Sequence, residues 1–396
     1  MRRQFSARIP STGTAPKLTL ELTRKLAPKL APKLAHGLAL ALSLAMTAAA
    51  QAGPAVLVDL GTGKVLEHED AFAPWYPASL TKLMTAFVLF RAIKAGEITL
   101  QSPVRISERA AKEPPSKMGY KPGSVLTVDN AVKILMVKSA NDIATAVAES
   151  LTGSRAAFAK RMNAEAARLG MSGTRFVNPH GLHADEQTTT ARDLAVLAMA
   201  LRNEFPEYAH YYSIEALTAD NKLIENHNDL ILRFDGADGM KTGYTCPSGF
   251  NLIASATRGG RSLLAVVIGE PTVEARADKA ANMLARGFGL PGDDAPYLGQ
   301  LRPTGREAAS AVNLRPVICT QEHWKAVTEA RGPGGKPLYT SPYLAKEPLR
   351  QPQAVAVALG GATGPKPDVP HYADVPVPTP RPDYAPDGVA PIAQGG

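Results

Sequence analysis

Three short segments carry side chains that together could activate a serine nucleophile. They are an S-x-x-K pattern at Ser79–Lys82, an S-x-N pattern at Ser139–Asn141 and a K-T-G pattern at Lys241–Gly243, and each occurs once in the chain. A lysine amine can serve as the base for a serine hydroxyl when it is uncharged. Taken alone, the first segment also fits an ordinary helix cap followed by a solvated lysine. All three patterns in this order predict a serine enzyme.

Secondary-structure patterns place these segments on elements that can bring them together. Apolar residues recur at helical spacing after Ser79 as far as Gly96, which predicts a helix starting near Ser79 with Lys82 on the same side. The S-x-N segment, Ser139–Asn141, interrupts two helical patterns. The K-T-G segment falls within Met240–Thr245, which we predict to be a strand.

Strand patterns lie at both ends of residues 53–290, and helical patterns lie between them. Runs at 55–60 and 64–67 flank a Gly-Thr-Gly turn, and Asn251–Thr257 and Ser262–Glu270 flank a Gly-Gly hairpin signal. We therefore expect an α+β domain over residues 53–290 with a helical insertion.

The two ends of the chain differ in composition from this domain. Residues 1–52 join a basic front to an uncharged Ala/Leu-rich run that ends in a small-x-small pattern at Ala50–Ala52. This predicts a signal peptide and an exported protein, with an uncleaved anchor as the alternative. Residues 291–349 show no clear periodicity and stay unassigned. Residues 350–396 are rich in proline and poor in large aliphatic residues, which predicts a disordered tail.

The charge distribution argues against nucleic acid as a partner. The net charge is +8, but residues 1–52 contain eight Lys/Arg and one Glu, so that the remaining chain carries only +8 − 7 = +1. No basic patch with interleaved aromatic residues appears there, which argues against nucleic-acid binding. The histidines lack metal-ligand spacing with acids or cysteines, so we expect no metal and no cofactor.

The two cysteines, Cys246 and Cys319, would lie in an oxidising compartment after export. We hypothesise that they form a disulfide, and two buried free thiols are the alternative. A disulfide closing this loop would stabilise the fold by about 4 kcal/mol in the chain-entropy model.

The residues around the three motifs resemble a known family, the serine D-alanyl-D-alanine carboxypeptidases. These are low-molecular-mass penicillin-binding proteins related to serine β-lactamases. The resemblance covers roughly residues 53–290 and rests also on Pro77–Ser79, Asn178–Leu182, Thr190–Asp193, Asp238–Thr245 and Gly249–Ala256. It implies an antiparallel sheet flanked by helices with a helical subdomain. It also implies peptidoglycan stem peptides and β-lactam antibiotics as partners, in the periplasm, with possible peripheral association with the cell envelope.

The resemblance assigns a role to each motif residue. Ser79 would form the acyl-enzyme, and Lys82 would be its general base, which requires burial and a nearby cation to lower its pKa from about 10.4. We predict that Lys241 is this cation, stays charged and orients Ser139 and the substrate carboxylate. Ser139 would relay a proton to the leaving D-alanine, and Asn141 would hold the peptide amide of the substrate.

The predicted strand would supply the rest of the site. The resemblance implies an oxyanion hole formed by the backbone N–H groups of Ser79 and Tyr244. Thr242, Gly243 and Thr245 would line a strand edge that pairs with an extended peptide, and Thr245 would reach the terminal carboxylate.

The chain departs from the family pattern at one position. Relatives often carry an arginine between two asparagines upstream of the K-T-G motif, whereas this chain has His227 between Asn226 and Asn228. A histidine is less reliably charged, so we expect carboxylate binding to weaken at high pH. The alternative is that His227 is a surface residue without a role.

The sequence leaves more than one function open. The leading hypothesis is a D,D-carboxypeptidase, and a D,D-endopeptidase that cuts peptidoglycan crosslinks would use the same site. A β-lactamase is disfavoured because Ala140 stands where that class has aspartate in S-D-N and because an E-x-x-L-N pattern is missing. A non-catalytic wall-binding protein is disfavoured by the intact Ser79, Lys82 and Ser139.

Overall fold

The computed structural model describes residues 53–305 and 307–367. The predicted signal peptide and residues 368–396 lie outside the described residues. The strands are β1 (Ala55–Asp59), β2 (Val65–Glu69), β3 (Pro103–Arg105), β4 (Val125–Thr127), β5 (Ala216–Ala219), β6 (Lys222–Glu225), β7 (Ala237–Thr245), β8 (Gly249–Arg258), β9 (Arg261–Glu270) and β10 (Ala354–Ala356). The helices are α1 (Thr81–Lys94), α2 (Glu108–Ala111), α3 (Val128–Val137), α4 (Asn141–Thr152), α5 (Arg155–Arg168), α6 (Ala191–Glu204), α7 (Val273–Gly289), α8 (Arg315–Ile318) and α9 (Gln321–Glu329).

A five-stranded antiparallel sheet forms the centre of the molecule. Its strand order is β2-β1-β9-β8-β7, and helices α1 to α6 all come between β2 and β7 in the chain. This confirms the predicted α+β fold with a helical insertion. Strand β7, which carries the K-T-G motif, lies at an edge of the sheet and pairs within it only with β8. Among the described residues, the other edge of β7 pairs with no strand.

The central strand β9 is buried on both faces, since the sheet separates two hydrophobic cores. Leu264, Val266 and Ile268 belong to the core shared with the helical insertion. The alternate residues, among them Leu263 and Val267, belong to the core under α7. Because successive side chains of a strand point to opposite faces, a strand in this position is apolar at nearly every residue. This explains why its sequence reads as a continuous apolar run.

Hydroxyl side chains cap the helices that surround the site. The first turns of α3, α5, α6 and α7 each donate a backbone N–H to a capping oxygen, from Thr127, Ser154, Thr190 and Thr272 respectively. Such caps satisfy N–H groups that have no partner within the helix.

The C-terminal region is more ordered than its composition predicts. The expected disordered tail is corrected for residues 351–367, because β10 pairs in parallel with β5. Farther on, the Ser102 hydroxyl donates to the carbonyl of Pro365 at 2.6 Å. Backbone hydrogen bonds to an already folded surface order a segment that has no core of its own.

Residues 313–345 also lie against the main body. Cys246 and Cys319 form a disulfide with a Cα–Cα distance of 5.7 Å. Tyr339 donates a hydrogen bond to Asp229 at 2.9 Å, and Ala345 donates its N–H to the carbonyl of Arg233. Within the described ranges, no helix has the length and apolar character needed to cross a membrane.

We expect the core of the helical insertion to govern stability. Phe87 on α1 is fully buried, and its ring meets that of Phe205 edge to face at 5.3 Å. Replacing Phe87 with alanine should lower the free energy of unfolding by about 3–5 kcal/mol, since it removes these contacts and leaves a cavity. Leu223 on β6 is 55% exposed, and its replacement by alanine should change that free energy by less than about 0.5 kcal/mol. Equal losses of unfolding free energy in the Phe87→Ala and Leu223→Ala variants, measured by urea unfolding, would contradict this prediction.

Candidate active site

Ser79 lies in a single 3-10 turn, Ala78–Leu80, directly before α1. Its hydroxyl is 3.1 Å from the Nζ of Lys82, which is in the first turn of α1. The serine and the lysine therefore lie on the same side, as their spacing in the sequence predicts. Ser79 keeps partial contact with solvent, whereas Lys82 is fully buried.

The surroundings of Lys82 favour the neutral amine. Burial is the main cause that holds the pKa of Lys82 well below its usual range, and the charge of Lys241 adds to it, against the opposing effect of Asp142 and Glu113. The Nζ also donates to Asn141 Oδ1 at 2.8 Å and to the carbonyl of His180 at 2.5 Å. Because a neutral amine has two protons and one lone pair, these two acceptors direct the lone pair towards Ser79. Lys82 is therefore placed to act as a base.

Asn141 lies at the start of α4, with both ends of its amide bound to the protein. Besides accepting from Lys82, it donates through Nδ2 to the carbonyl of Pro114 at 2.9 Å. The second bond determines the orientation of the amide, so that Oδ1 faces the lysine. Asn141 thus orients Lys82 directly, in addition to any bond that it makes to a substrate.

Ser139 occupies the connection between α3 and α4 with a positive φ of 59°. Its Oγ is buried and has no hydrogen-bond partner among residues 53–305 and 307–367. A buried hydroxyl without a partner is uncommon and costs free energy, unless a bound group completes it. Ser139 is therefore available to an incoming ligand.

Lys241 is almost fully buried on β7 and donates through Nζ to the carbonyl of Thr242 at 3.0 Å. Burial, helped by the positive charge of Arg276, lowers the pKa of Lys241 to about 7. The lysine is thus charged below neutrality and loses its charge above it. The prediction that Lys241 stays charged therefore applies only below a pH of about 7.

Gly243 permits close contact between β7 and the nucleophile turn. A Cβ at this position would come within 3.0 Å of the backbone N of Ser79 and 3.1 Å of that of Leu80. The absence of a side chain lets the strand lie directly against the turn. The contact places the turn that carries Ser79 against the strand that carries Tyr244. The backbone N–H groups of these two residues are the predicted oxyanion-hole donors.

The residues after Gly243 are engaged with the protein. The ring of Tyr244 stacks on that of Phe250 with a centroid distance of 4.2 Å. The hydroxyl of Thr245 bonds to the Ser248 hydroxyl at 3.0 Å, within the turn from β7 to β8. Thr242 lies between Lys241 and Gly243 and is almost buried. A substrate carboxylate bound by Thr245 would compete with this turn.

Sequence reasoning assigned no role to His180, although it singled out the Asn178–Leu182 segment. The carbonyl of His180 accepts from Lys82, and its buried Nε2 lies 3.6 Å from Glu113. Burial, followed by the charge of Lys82, lowers the pKa of His180 to about 3, so that the ring is neutral. Only the backbone carbonyl acts on Lys82, and a backbone role leaves no signal in residue type.

Comparison with known proteins agrees with this arrangement. The sequence profile of the peptidase S11 family, described as D-alanyl-D-alanine carboxypeptidase, matches residues 42–272. The chain belongs to the peptidase S11 family. It is 39% identical over 243 residues to the D-alanyl-D-alanine carboxypeptidase DacD of Escherichia coli (strain K12), a match that covers 60% of this chain and 63% of DacD. The chain thus spans less than two thirds of the length of this relative.

Solved structures of penicillin-binding proteins share the fold of this S11 peptidase. Penicillin-binding protein 6B from Escherichia coli has a TM-score of 0.56 at 39% identity, covering 59% of this chain and 76% of that one. Penicillin-binding protein D2 from Listeria monocytogenes, in its cefotaxime-bound form, has a TM-score of 0.55 at 31% identity, covering 60% and 97%. The fold is therefore that of the penicillin-binding proteins.

His227 lies beside a buried arginine that sequence reasoning missed. Residue His227 is exposed, but protein crowds its ring, and this desolvation, with nearby cations including Lys241, lowers its pKa to about 4. The predicted loss of its charge therefore falls in the acid range, and at neutral pH the ring is neutral. Arg276 on α7 donates to the carbonyl of His227 at 3.2 Å and to Asp229 at 3.3 Å.

Arg276 keeps unused hydrogen-bonding capacity. It is 4% exposed, and its buried Nε has no partner among the described residues. The signal in the sequence is a charged residue on the apolar side of an amphipathic helix, since Arg276 shares that side of α7 with Ala277, Ala280 and Leu284. Because its Nη2 is bound to His227 and Asp229 while its Nε is unsatisfied, the Nε of Arg276 is a candidate for ligand contact.

We expect Gly181 to be required for the shape of the nucleophile turn. It has a φ of +87°, and a Cβ there would lie 1.8 Å from the carbonyl oxygen of Ala78, next to Ser79. Gly181→Ala should lower stability by more than about 2 kcal/mol and slow labelling of Ser79 by a penicillin at least tenfold. Gly170, with a φ of +69° and nothing within 4 Å of an added Cβ, is the matched control.

Gly170→Ala should cost about 1 kcal/mol from backbone strain alone and leave labelling unchanged. Urea unfolding and stopped-flow labelling measure the two effects. Equal behaviour of the two variants would show that the close contact with Ala78 has no importance for the site.

Proposed function

We propose that this S11 peptidase is a serine D,D-carboxypeptidase that hydrolyses the terminal D-alanyl-D-alanine bond of peptidoglycan stem peptides. The observation that carries the proposal is the buried Nζ of Lys82, 3.1 Å from the Ser79 hydroxyl and with a lowered pKa. The name of DacD, with which the chain shares 39% identity, supports the same activity.

Acylation follows from the positions of Ser79 and Lys82. The Oγ of Ser79 attacks the carbonyl carbon of the penultimate D-alanine, and its proton passes to the neutral Lys82. The negative charge that develops on the carbonyl oxygen is stabilised by the N–H groups of Ser79 and Tyr244. Close contact of Gly243 with the nucleophile turn keeps these donors in place.

Departure of the terminal D-alanine requires a proton on its nitrogen. The hydroxyl of Ser139, which has no partner among the described residues, donates this proton and takes the one that Lys82 received. The C–N bond then breaks, leaving an ester on Ser79 and a free D-alanine. In the second step Lys82 removes a proton from water, the water oxygen attacks the ester carbonyl, and the C–O bond to Ser79 breaks as Lys82 returns the proton to the Ser79 Oγ.

The terminal carboxylate of the substrate binds where the positive charges are. Lys241 and Arg276 are both buried, and the charge of Arg276 acts on Lys241, while the neutral His227 can add a hydrogen bond. The peptide itself extends along the free edge of β7, where Thr242 and Thr245 lie. A carboxylate would also satisfy the unused Nε of Arg276.

β-Lactams should acylate the same serine and remain bound. The Listeria monocytogenes relative with cefotaxime bound supports this, and Ala140 stands where β-lactamases carry the aspartate of S-D-N. Such a substrate lies outside the cytoplasm, so we also propose export by residues 1–52 and a periplasmic location, with peripheral association with the cell envelope. The endopeptidase alternative uses the same chemistry on a crosslinked stem.

Two measurements on the wild type and on Ser79→Ala test the function. Fluorescent penicillin should label the wild type, and the Ser79→Ala variant should show no labelling. The wild type should release D-alanine from a stem pentapeptide, and the variant should be at least about 10³-fold slower, since it lacks the nucleophile. Absence of Ser79-dependent labelling would refute the enzyme proposal. Faster cleavage of a crosslinked dimer than of the pentapeptide would favour the endopeptidase.

The rate of penicillin acylation should depend on pH through both lysines. Lys82 acts as a base only when neutral, so the rate should rise with pH through its lowered pKa. It should fall as the pH rises through about 7, the pKa of Lys241, because the carboxylate of the drug loses its cationic partner. In Lys241→Arg the guanidinium stays protonated, and the fall near pH 7 should disappear. A fall at the same pH in that variant would assign it to another group.

A further inference from the structure

Two buried carboxylates hold an irregular loop against the helical insertion. The loop comprises residues 113–119, between α2 and β4, and we call it the 113–119 segment. It forms no helix or strand, so that bonds to neighbouring elements must hold its shape. At its first residue the buried Glu113 accepts from the Thr145 hydroxyl at 2.8 Å and from Nη1 of Arg155 at 2.9 Å. This end of the segment is therefore attached to both α4 and α5.

Asp142 attaches the other end of the segment. It is fully buried in the first turn of α4, directly after Asn141. Its two carboxylate oxygens accept the backbone N–H of Met118 at 3.1 and 3.0 Å, and one of them accepts that of Gly119 at 2.9 Å. Hydrogen bonds to a charged acceptor are about twice as strong as neutral ones. Asp142 therefore contributes much of what holds this loop, although the mechanism above gives it no part.

The middle of the segment orients Asn141. The carbonyl of Pro114 accepts from Nδ2 of Asn141 at 2.9 Å, and the carbonyl of Ser116 accepts its backbone N–H at 2.7 Å. The Ser116 hydroxyl donates to the carbonyl of Lys138 at 2.9 Å, which attaches the segment to the end of α3 as well. Because Oδ1 of Asn141 accepts from Lys82 at 2.8 Å, one amide connects the segment to the base.

We propose that Asp142 is a positioning residue for acylation. It holds the 113–119 segment in place, and the segment keeps the Asn141 amide turned towards Lys82. Asp142 thus acts through the backbone carbonyls that bind Asn141. This inference rests on the proposed function, since it assumes that Lys82 is the base that activates Ser79.

The charge of Asp142 acts on Lys82 in the opposite direction to this positioning. Burial and the charge of Lys241 lower the pKa of Lys82, whereas the charges of Asp142 and Glu113 raise it. Removing the charge of Asp142 alone would favour the neutral amine and would not slow acylation. A slower reaction after Asp142→Asn therefore indicates lost positioning and not a change of charge.

Asp142→Asn tests the proposal, since it keeps the shape of the side chain but replaces one acceptor with an amide NH₂ group. We expect acylation of Ser79 by a fluorescent penicillin to become about ten- to a hundredfold slower, in protein that still unfolds cooperatively in urea. In Asn141→Ala protein, which lacks the oriented amide, adding Asp142→Asn should slow acylation by less than about threefold. Equal losses in the two backgrounds would assign Asp142 a merely structural role and overturn the proposal. An unchanged rate in Asp142→Asn would also overturn it.

Asp59 provides the matched control. Its buried carboxylate likewise accepts two successive backbone N–H groups, those of Gly61 and Thr62, at 3.0 and 3.1 Å. These residues lie in the turn between β1 and β2, at the side of the sheet opposite to β7. Asp59→Asn should lower the free energy of unfolding as Asp142→Asn does, but acylate within twofold of the wild-type rate. Equal slowing by the two variants would assign the effect to stability and count against the proposal.

Ser116→Ala decides the question if Asp142→Asn does not fold. It removes the bond that attaches the segment to α3, so acylation should slow about three- to tenfold, the size of one hydrogen bond. This loss should again disappear in the Asn141→Ala background. A rate within twofold of the wild type, or the same loss in both backgrounds, would overturn the proposal. Failure of the proposed function would appear separately, as absence of D-alanine release and of penicillin labelling by the wild type.

Discussion

The burial of the Lys82 side chain is the constraint on which the rest of the site depends. A charged ammonium is costly away from water, so full burial shifts lysine towards the neutral form that can take a proton. The protein limits the cost of burial by giving the amine two fixed acceptors, Asn141 Oδ1 and the carbonyl of His180. The same two contacts aim the amine at Ser79. In the proposed mechanism, activation of the serine and stability of the site therefore have one physical origin.

Close backbone contacts make this burial compatible with access for a substrate. Gly181 and Gly243 both lie near the nucleophile turn, so that a side chain at Gly181 would collide with it and one at Gly243 would crowd it. Ser79 remains partly exposed at the junction of the sheet and the helical insertion, while Lys82 is sealed beneath it. The edge position of β7 then leaves backbone groups free for an extended peptide.

Positive charge is concentrated behind the catalytic strand. Lys241 and Arg276 are both buried, which lowers the pKa of each, and the charge of Arg276 lowers the pKa of Lys241 further. An anionic ligand at the proposed carboxylate site would relieve the effect of one charge on the other. His227 replaces an arginine that is frequent in relatives. This replacement removes less positive charge from the site than the sequence indicates, because Arg276 donates to the carbonyl of His227.

The sequence by itself determined the chemistry and the order of the main elements. The three motifs, the hairpin of β8 and β9 and the caps at Thr127 and Thr190 can be read locally, since each depends on neighbouring residues. Tertiary structure alone decided which backbone carbonyl meets Lys82, that Arg276 reaches His227, and that residues 351–367 pair with β5. These contacts join residues far apart in the chain, and all three use backbone atoms that every residue type possesses. Local patterns carry no record of such contacts, because their energy comes from partners that only the folded chain brings together.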